Sequence, residues 1–272
     1  MIESQKNERV KRYRRLLKRN FRYRESLFIA EGLQCVREAL YSDLAPECIL
    51  CNSRGLEALQ AYGDIIEARS IPCFTVSDAV VEALTSTVTP QGVLAVCPML
   101  HRSLEELLSG YPSLLLLVDR VRDPGNLGNI IRVADAAGVG GMVICEESVD
   151  PYNPKAVRST AGSLFHVPFS VGVEAASVMQ LLKEHEYEVV AADPRGGKGV
   201  WEFSWPPRVA LVVGNEAWGI PEGEEAVAGS TVRVPILGKA ESLNVAAATA
   251  VILYEIQRCR AVQGMSGGAP GG

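Results

Sequence analysis

The sequence predicts an α/β protein in two parts, the larger built on a parallel sheet. Three observations carry this. The run that opens at Leu114 is four leucines and a valine, as in a strand buried on both faces of a parallel sheet. From there to the C-terminus, strand-like and helix-like segments alternate. Before it, residues 25–100 show the same two patterns on a smaller scale, and Pro98 and Pro112 bracket a linker at 101–113.

In the first part, Phe28-Ile-Ala-Glu-Gly32 leads into an amphipathic helix that reaches Tyr41. A strand follows at 48–51, then a helix at 56–68 and a short strand at 72–76. The helix at 77–84 opens on Ser77, a favourable capping residue. Residues 91–96 close this part as a strand. In the second part, a helix over 126–137 ends at Gly138, which suits the left-handed turn after a helix. Strands are expected at 142–145, 187–192, 209–213 and 231–234, and helices at 154–161, 175–185 and 244–258. The Gly-rich residues 264–272 read as a flexible tail. The expected organisation is a basic arm (1–24), a first domain (25–100), the linker, a second domain (114–263) and the tail.

The chain has 272 residues, of which 47% are apolar, enough to fill two cores. No apolar run approaches the ~20 residues of a membrane span, and no apolar stretch follows the first basic residues. A cytoplasmic protein with no membrane partner is expected. The seven cysteines are odd in number and spread through apolar stretches, which suits reduced, buried thiols. Cys48 and Cys51 form a C-x-x-C, but no second pair and no His pair stands at zinc spacing, so no metal is expected.

The net charge of −5 conceals an asymmetry. Residues 1–24 hold ten Lys and Arg against two Glu, a local +8, which leaves −13 on the rest. A basic arm on an acidic body points to a polyanionic partner met at one place. Val10, Tyr13, Leu16 and Leu17 also recur at helical spacing, so the same arm reads as a docked amphipathic helix.

Three loops stand out, each after a predicted strand: Arg122-Asp-Pro-Gly-Asn-Leu-Gly-Asn129, Gly214-Asn-Glu-Ala-Trp-Gly-Ile-Pro221 and Pro235-Ile-Leu-Gly-Lys-Ala-Glu-Ser-Leu-Asn244. In open α/β sheets ligands bind at that edge, where glycines admit a close approach and helix N-termini offer free N–H groups. No G-x-G-x-x-G opens a helix, and Gly196-Gly-Lys-Gly199 is only a fragment of a P-loop, which argues against dehydrogenases and P-loop nucleotidases. His101, His166 and His185 lie in unrelated segments, so a His-based triad is not expected.

Together the three loops resemble the signature motifs of the SpoU (TrmH) family of RNA 2′-O-ribose methyltransferases. The first is Asp123-Pro-Gly-Asn-Leu-Gly-Asn-Ile-Ile-Arg132, the second Val213-Gly-Asn-Glu216 with Gly219, and the third Ser242-Leu-Asn244 before an Ala-rich helix. Phe28 to Gly32 and Thr89-Pro-Gln-Gly-Val-Leu-Ala-Val96 are similar to the family's small RNA-binding α/β domain. The resemblance implies a SPOUT-type parallel sheet with a deep trefoil knot and cofactor loops lying side by side. It also implies S-adenosylmethionine as cofactor, a homodimer and an RNA substrate. The two-domain layout with a basic arm looks like the rRNA-modifying branch. A tRNA 2′-O-methyltransferase and a non-catalytic RNA-binding ribosome-assembly protein of the same fold are the alternatives.

By resemblance, Arg132 stands at the ribose hydroxyl, Asn126 helps to position it, and Glu216, Ser242 and Asn244 complete the catalytic set. Gly214, Val234, Ile236 and Leu243 hold the cofactor, largely through backbone groups. The residue types suit the chemistry: in-line methyl transfer needs the hydroxyl aligned and its proton removed. Arginine is effectively always protonated, so Arg132 is better read as orienting the hydroxyl and stabilising the developing alkoxide than as a base. Each residue also has an ordinary structural reading. Asn126 caps a helix, Arg132 pairs with Asp135 or Asp123, Glu216 pairs with a nearby base, and Asn244 with Ser242 caps the last helix. Trp201 and Trp218 read as core or rim aromatics.

Overall fold

The computed structural model describes residues 1–215 and 227–264. In chain order its helices and strands are α1 (Glu8–Arg15), α2 (Arg19–Glu25), β1 (Leu27–Glu31), α3 (Leu33–Tyr41), β2 (Cys48–Cys51), α4 (Ser53–Leu59), α5 (Gly63–Ala68), β3 (Cys73–Thr75), α6 (Asp78–Leu84) and β4 (Val93–Pro98). There follow α7 (Leu104–Ser109), β5 (Leu114–Val118), α8 (Pro124–Ala136), β6 (Gly141–Cys145), α9 (Pro154–Ser159), β7 (Phe169–Val173) and α10 (Ala175–Glu184). The last are β8 (Glu188–Ala192), β9 (Lys198–Gly199), β10 (Val209–Val213), β11 (Ser230–Arg233) and α12 (Val245–Val262). The chain divides into two compact units, Met1–Leu100 with Asp150–His166, and His101–Val149 with Val167–Gly272.

The first unit holds a four-stranded sheet in the order β1-β4-β2-β3. Strands β1 and β2 run antiparallel to β4, and β3 runs parallel to β2. The period-2 alternation of a strand sends Leu27, Ile29, Cys48, Leu50, Leu94 and Val96 to one face. There they pack with Val80, Val81 and Leu84 of α6 and with Val10 and Tyr13 of α1. The apolar stripe of the basic segment is therefore docked. Tyr13 Oη–H donates to Glu47 at 2.7 Å, and Arg12 bonds both Glu47, at 2.8 Å, and Glu25, at 3.3 Å. Arg22 is 2% exposed and forks onto Asp150. Lys6, Arg14, Arg15, Lys18 and Arg19 stay exposed. Residues 1–24 thus have an apolar side built into the core and a basic side left in water.

Ser77 does occupy the position before α6, but its hydroxyl donates to the Glu3 carbonyl at 3.2 Å instead of capping the helix. Cys48 and Cys51 are buried in β2, and burial pushes both thiols up to about 11. Among the described residues no group of His, Cys, Asp and Glu is arranged to hold a metal.

The segment 150–166, expected in the second domain, belongs to the first unit. Its aromatic residues explain why: the Tyr152 ring lies 4.9 Å from Phe28 of β1, and the Phe165 ring 5.9 Å from it on the same strand face. Tyr152 is among the largest wholly buried side chains, and its hydroxyl accepts from Leu100 N–H at 2.7 Å.

The second unit holds a seven-stranded sheet in the order β7-β6-β5-β10-β8-β11-β9. Every neighbouring pair is parallel. Strands β5, β6 and β10 are buried at every residue, as their unbroken apolar sequences require. Strand β7 was not anticipated; Ser170 and Gly172 break its apolar pattern. Helix α8 ends at Ala136 with Ala137 as its C-cap, and Gly138 follows with φ +66°, the left-handed turn its sequence predicts. The stretch 101–113 is no free spacer. Ser103 and Glu106 form a capping box that starts α7, and Leu107 and Leu108 enter the core beneath the sheet. The approach is so close that a Cβ on Gly141 of β6 would stand 2.8 Å from Leu107. Among the described residues no helix is long and apolar enough to cross a membrane.

Candidate active site

In a parallel sheet all strand C-termini face one edge, and four loops meet at that edge in the middle of this sheet. They follow β5, β10, β8 and β11. A cavity of about 660 Å³ opens there. Its walls include Gly214, Val234, Ile236 and Leu243, the four residues expected to hold a cofactor, together with Ser242 of the catalytic set. Val213, Val245 and Ile252 add apolar surface, and Asp193, Arg195 and Glu241 add charge.

Asn126 and Asn244 meet beside this cavity. Asp123, not Asn126, caps α8: its Oδ1 accepts Asn126 N–H at 2.9 Å, with Pro124 in the first turn. That leaves the Asn126 side chain to accept from Asn244 Nδ2 at 2.9 Å. Asn244 meanwhile caps α12, its Oδ1 accepting Ala246 N–H at 2.9 Å. The capping reading of Asn244 therefore holds alongside its place in the site. Because its oxygen serves the helix, its NH₂ must be the group that donates. One hydrogen bond thus ties the starts of α8 and α12, 118 residues apart in sequence.

Arg132 is exposed on α8 and forms no ion pair among the described residues, with Asp123, with Asp135 or otherwise. It does not line the cavity. Glu216, with Trp218 and Gly219, lies outside the described residues. Its neighbour Asn215 ties the second loop to the chain just after β5 by donating Nδ2–H to the Arg120 carbonyl at 3.0 Å. Arg120 is itself held at φ +51°, paired to Asp119 at 2.7 Å and Glu147 at 3.2 Å.

Sequence reading missed the loop after β8. Strand β8 lies between β10 and β11, so Asp193-Pro-Arg195 necessarily stands between the two loops expected to adjoin. Asp193 is 3% exposed; it accepts the Arg195 N–H at 2.6 Å and its guanidinium at 3.0 and 3.2 Å. The signal was present, since Asp-Pro-Arg-Gly-Gly directly follows a predicted strand. Only its Gly196-Gly-Lys-Gly199 part enters the sequence reading, as a fragment of a P-loop.

A parallel α/β sheet with a ligand-sized cavity over its central strand ends, and an amide pair joining two helix starts beside it, defines a small-molecule-dependent α/β enzyme. This chain belongs to the SpoU rRNA Methylase family, whose model matches residues 113–254. A second model, the MRM3-like substrate binding domain, matches residues 7–95, which include α1 and α2. The chain is 35% identical to 23S rRNA (guanosine(2553)-2'-O)-methyltransferase RlmP of Bacillus subtilis, over 94% of this chain and 98% of that one. An AdoMet-bound rRNA methyltransferase from Sinorhizobium meliloti superposes with a TM-score of 0.81 at 30% identity, over 94% and 97% of the two chains. The SpoU methyltransferase AviRb from Streptomyces viridochromogenes, in complex with AdoMet, gives a TM-score of 0.83 at 28% identity, over 94% and 100%.

Proposed function

We propose that this chain transfers a methyl group from S-adenosylmethionine to a ribose 2′-hydroxyl of large-subunit rRNA, acting as a cytoplasmic homodimer. The observation that carries the reading is the cavity. It gathers Gly214, Val234, Ile236, Leu243 and Ser242 from two loops and lies beside the Asn126–Asn244 hydrogen bond. The knotted path of the C-terminal segment belongs to the same reading and is supported by the family membership. RlmP is named for a guanosine and a Streptomyces viridochromogenes relative for a uridine, so ribose chemistry is what the two share.

The cavity fits this cofactor in size, since small-molecule sites run from about 300 to 1,000 Å³. It also fits in chemistry. Val213, Val234, Ile236, Leu243 and Ile252 offer apolar faces for a flat adenine, and Gly214 admits its edge to the backbone. Asp193, Arg195, Glu241 and Ser242 would take the hydroxyls and charged groups of the rest. When bound, S-adenosylmethionine supplies a methyl group on a positively charged sulfur. The chain's own work is to bring the hydroxyl into line and to manage its proton. Asn126 and Asn244, each fixed by the other and by a helix start, present a preorganised polar surface to the ribose. Arg132 orients the hydroxyl and stabilises the alkoxide as it forms, with an RNA phosphate sharing the proton.

Calorimetry with S-adenosylmethionine and methylation of a 23S rRNA transcript test the reading together. Saturable heat, and label mapped to a ribose 2′-oxygen, are the expected results. A folded protein that gives no heat at millimolar cofactor, or label found on a base, would overturn it.

We further assign RNA recruitment to the exposed basic side of α1 and α2. If about five of its cations reach phosphates, log affinity should fall with log salt at a slope of about −3.5 to −4.5. The triple change of Arg14, Arg15 and Lys18 to Glu should flatten that slope and spare the fold, because all three are exposed and none forms an ion pair among the described residues. Arg12 is unsuitable for such a test, since its bonds to Glu25 and Glu47 serve the fold. An unchanged slope in the triple variant would make this segment purely structural.

A further inference from the structure

Trp201 and Trp205 lie close in sequence in the second unit and have opposite surroundings. Trp205 is 4% exposed, its ring stands 4.7 Å from Phe203, and its Nε1–H donates to the Val200 carbonyl at 3.3 Å. Trp201 is 56% exposed, and its indole makes no ring contact and no hydrogen bond among the described residues.

A tight turn presents this ring. Glu202 N–H donates to the Gly199 carbonyl at 2.9 Å, and the Glu202 carboxylate accepts Gly199 N–H at 3.2 Å, so residues 199–202 close on themselves. Val200 is wholly buried, and its N–H is held by the Arg233 carbonyl at 2.8 Å. The indole is therefore carried at the corner of a doubly bonded turn that is anchored in the core behind it.

Single exposed apolar side chains are ordinary; the place of this one is not. Strand β9 pairs with β11 at Gly199–Arg233, and a Cβ on Gly199 would meet Pro235, a wall of the cavity, at 3.5 Å. Cations share this edge of the sheet. Lys198 is exposed just before the turn, the Arg195 side chain is 66% exposed in the cavity wall, and Arg233 is anchored on the Gly196 and Gly197 carbonyls at 2.6 and 2.8 Å. Three carboxylates oppose them: Asp193, buried against Arg195, Glu202, engaged with the turn, and Glu241, exposed in the cavity wall.

A rigid aromatic ring flanked by cations is what holds unpaired nucleic acid, the ring stacking on a base while the cations take neighbouring phosphates. We propose that Trp201 is a stacking platform for a nucleobase of the substrate RNA, next to the nucleotide whose ribose enters the site. This rests on the RNA methyltransferase reading above. A second copy of the chain is the competing occupant, and the experiment separates the two.

Wild type, Trp201→Ala and Trp201→Phe are titrated with a 23S rRNA transcript by filter binding. Cofactor calorimetry and sedimentation are run on the same samples. Trp201→Ala should weaken RNA binding by about tenfold, and Trp201→Phe, which keeps a flat ring, should recover most of the loss. Cofactor affinity and oligomeric state should not change. RNA affinity within about twofold of wild type in Trp201→Ala would overturn the platform. A changed oligomeric state would overturn it too, because the ring would then cover another copy. Failure of the wild type to bind S-adenosylmethionine would sink the methyltransferase reading alone, and a selective loss of RNA affinity in Trp201→Ala would still support the platform.

Discussion

Replacing Arg132 by alanine should lower methyl transfer by about 10²–10³, the usual cost of removing one preorganised charge contact to a developing oxyanion. Cofactor affinity should stay near that of wild type, because Arg132 sits exposed on α8 and takes no part in the cavity wall. The measurement is single-turnover kinetics at saturating RNA and S-adenosylmethionine, with calorimetry beside it. Arg132→Lys sharpens the test. It keeps the charge and loses the planar fork, so it should fall between the two if geometry as well as charge matters. Turnover of Arg132→Ala within a few-fold of wild type would remove this residue from the mechanism. Neither Asp123 nor Asp135 holds the guanidinium among the described residues, so the ion pair of the ordinary reading is absent although Arg132 is an exposed helix residue.

Asp150→Ala should be the most damaging change to stability outside the catalytic unit. The Asp150 carboxylate takes Arg22 Nε at 3.1 Å, Arg22 Nη2, Tyr23 Oη–H at 3.3 Å and Tyr152 N–H at 3.0 Å. Both side chains of the ion pair are at least 95% buried. Removing the acid strands a guanidinium that keeps only the Leu16 carbonyl, at 2.8 Å, among these partners. Breaking a buried pair on one side costs about 3–5 kcal/mol, a large share of a domain's stability. Urea unfolding followed by circular dichroism reads the loss. The double change Arg22→Met with Asp150→Ala should recover part of it, since no charge is then left buried. Cofactor affinity should survive, because the cavity lies in the other unit. A loss below 1 kcal/mol in Asp150→Ala would mean that water reaches Arg22 and that the pair does not hold the unit together.

The two amide residues show how far reading residues one at a time can go. Asn244 at the start of the last helix suggested a cap, and it is one. Asn126 suggested the same, but Asp123 stands earlier with Pro124 behind it, and its carboxylate takes the Asn126 N–H. Local competition settled that point, and Asp123-Pro124 was there to be read. What no local rule contains is the bond between the two amides, because it depends on two helix starts being brought together.

Taken alone, the sequence determined the class of fold, most of its strands and helices, and three of the loops at the site. These rest on short-range causes: unbroken apolar runs for buried parallel strands, alternation for strands exposed on one face, and capping residues and glycines at helix ends. Tertiary structure alone decided which strands are neighbours. By placing β8 between β10 and β11 it brought Asp193 and Arg195 into the cavity that sequence reading had assigned to two adjoining loops. It also returned residues 150–166 to the first unit, where Phe28 offers Tyr152 and Phe165 a partner, and gave Arg22 its acid 128 residues away. Strand order and buried partners are chosen by contacts between distant parts of the chain. Propensity and periodicity act over a few residues and carry no record of that choice.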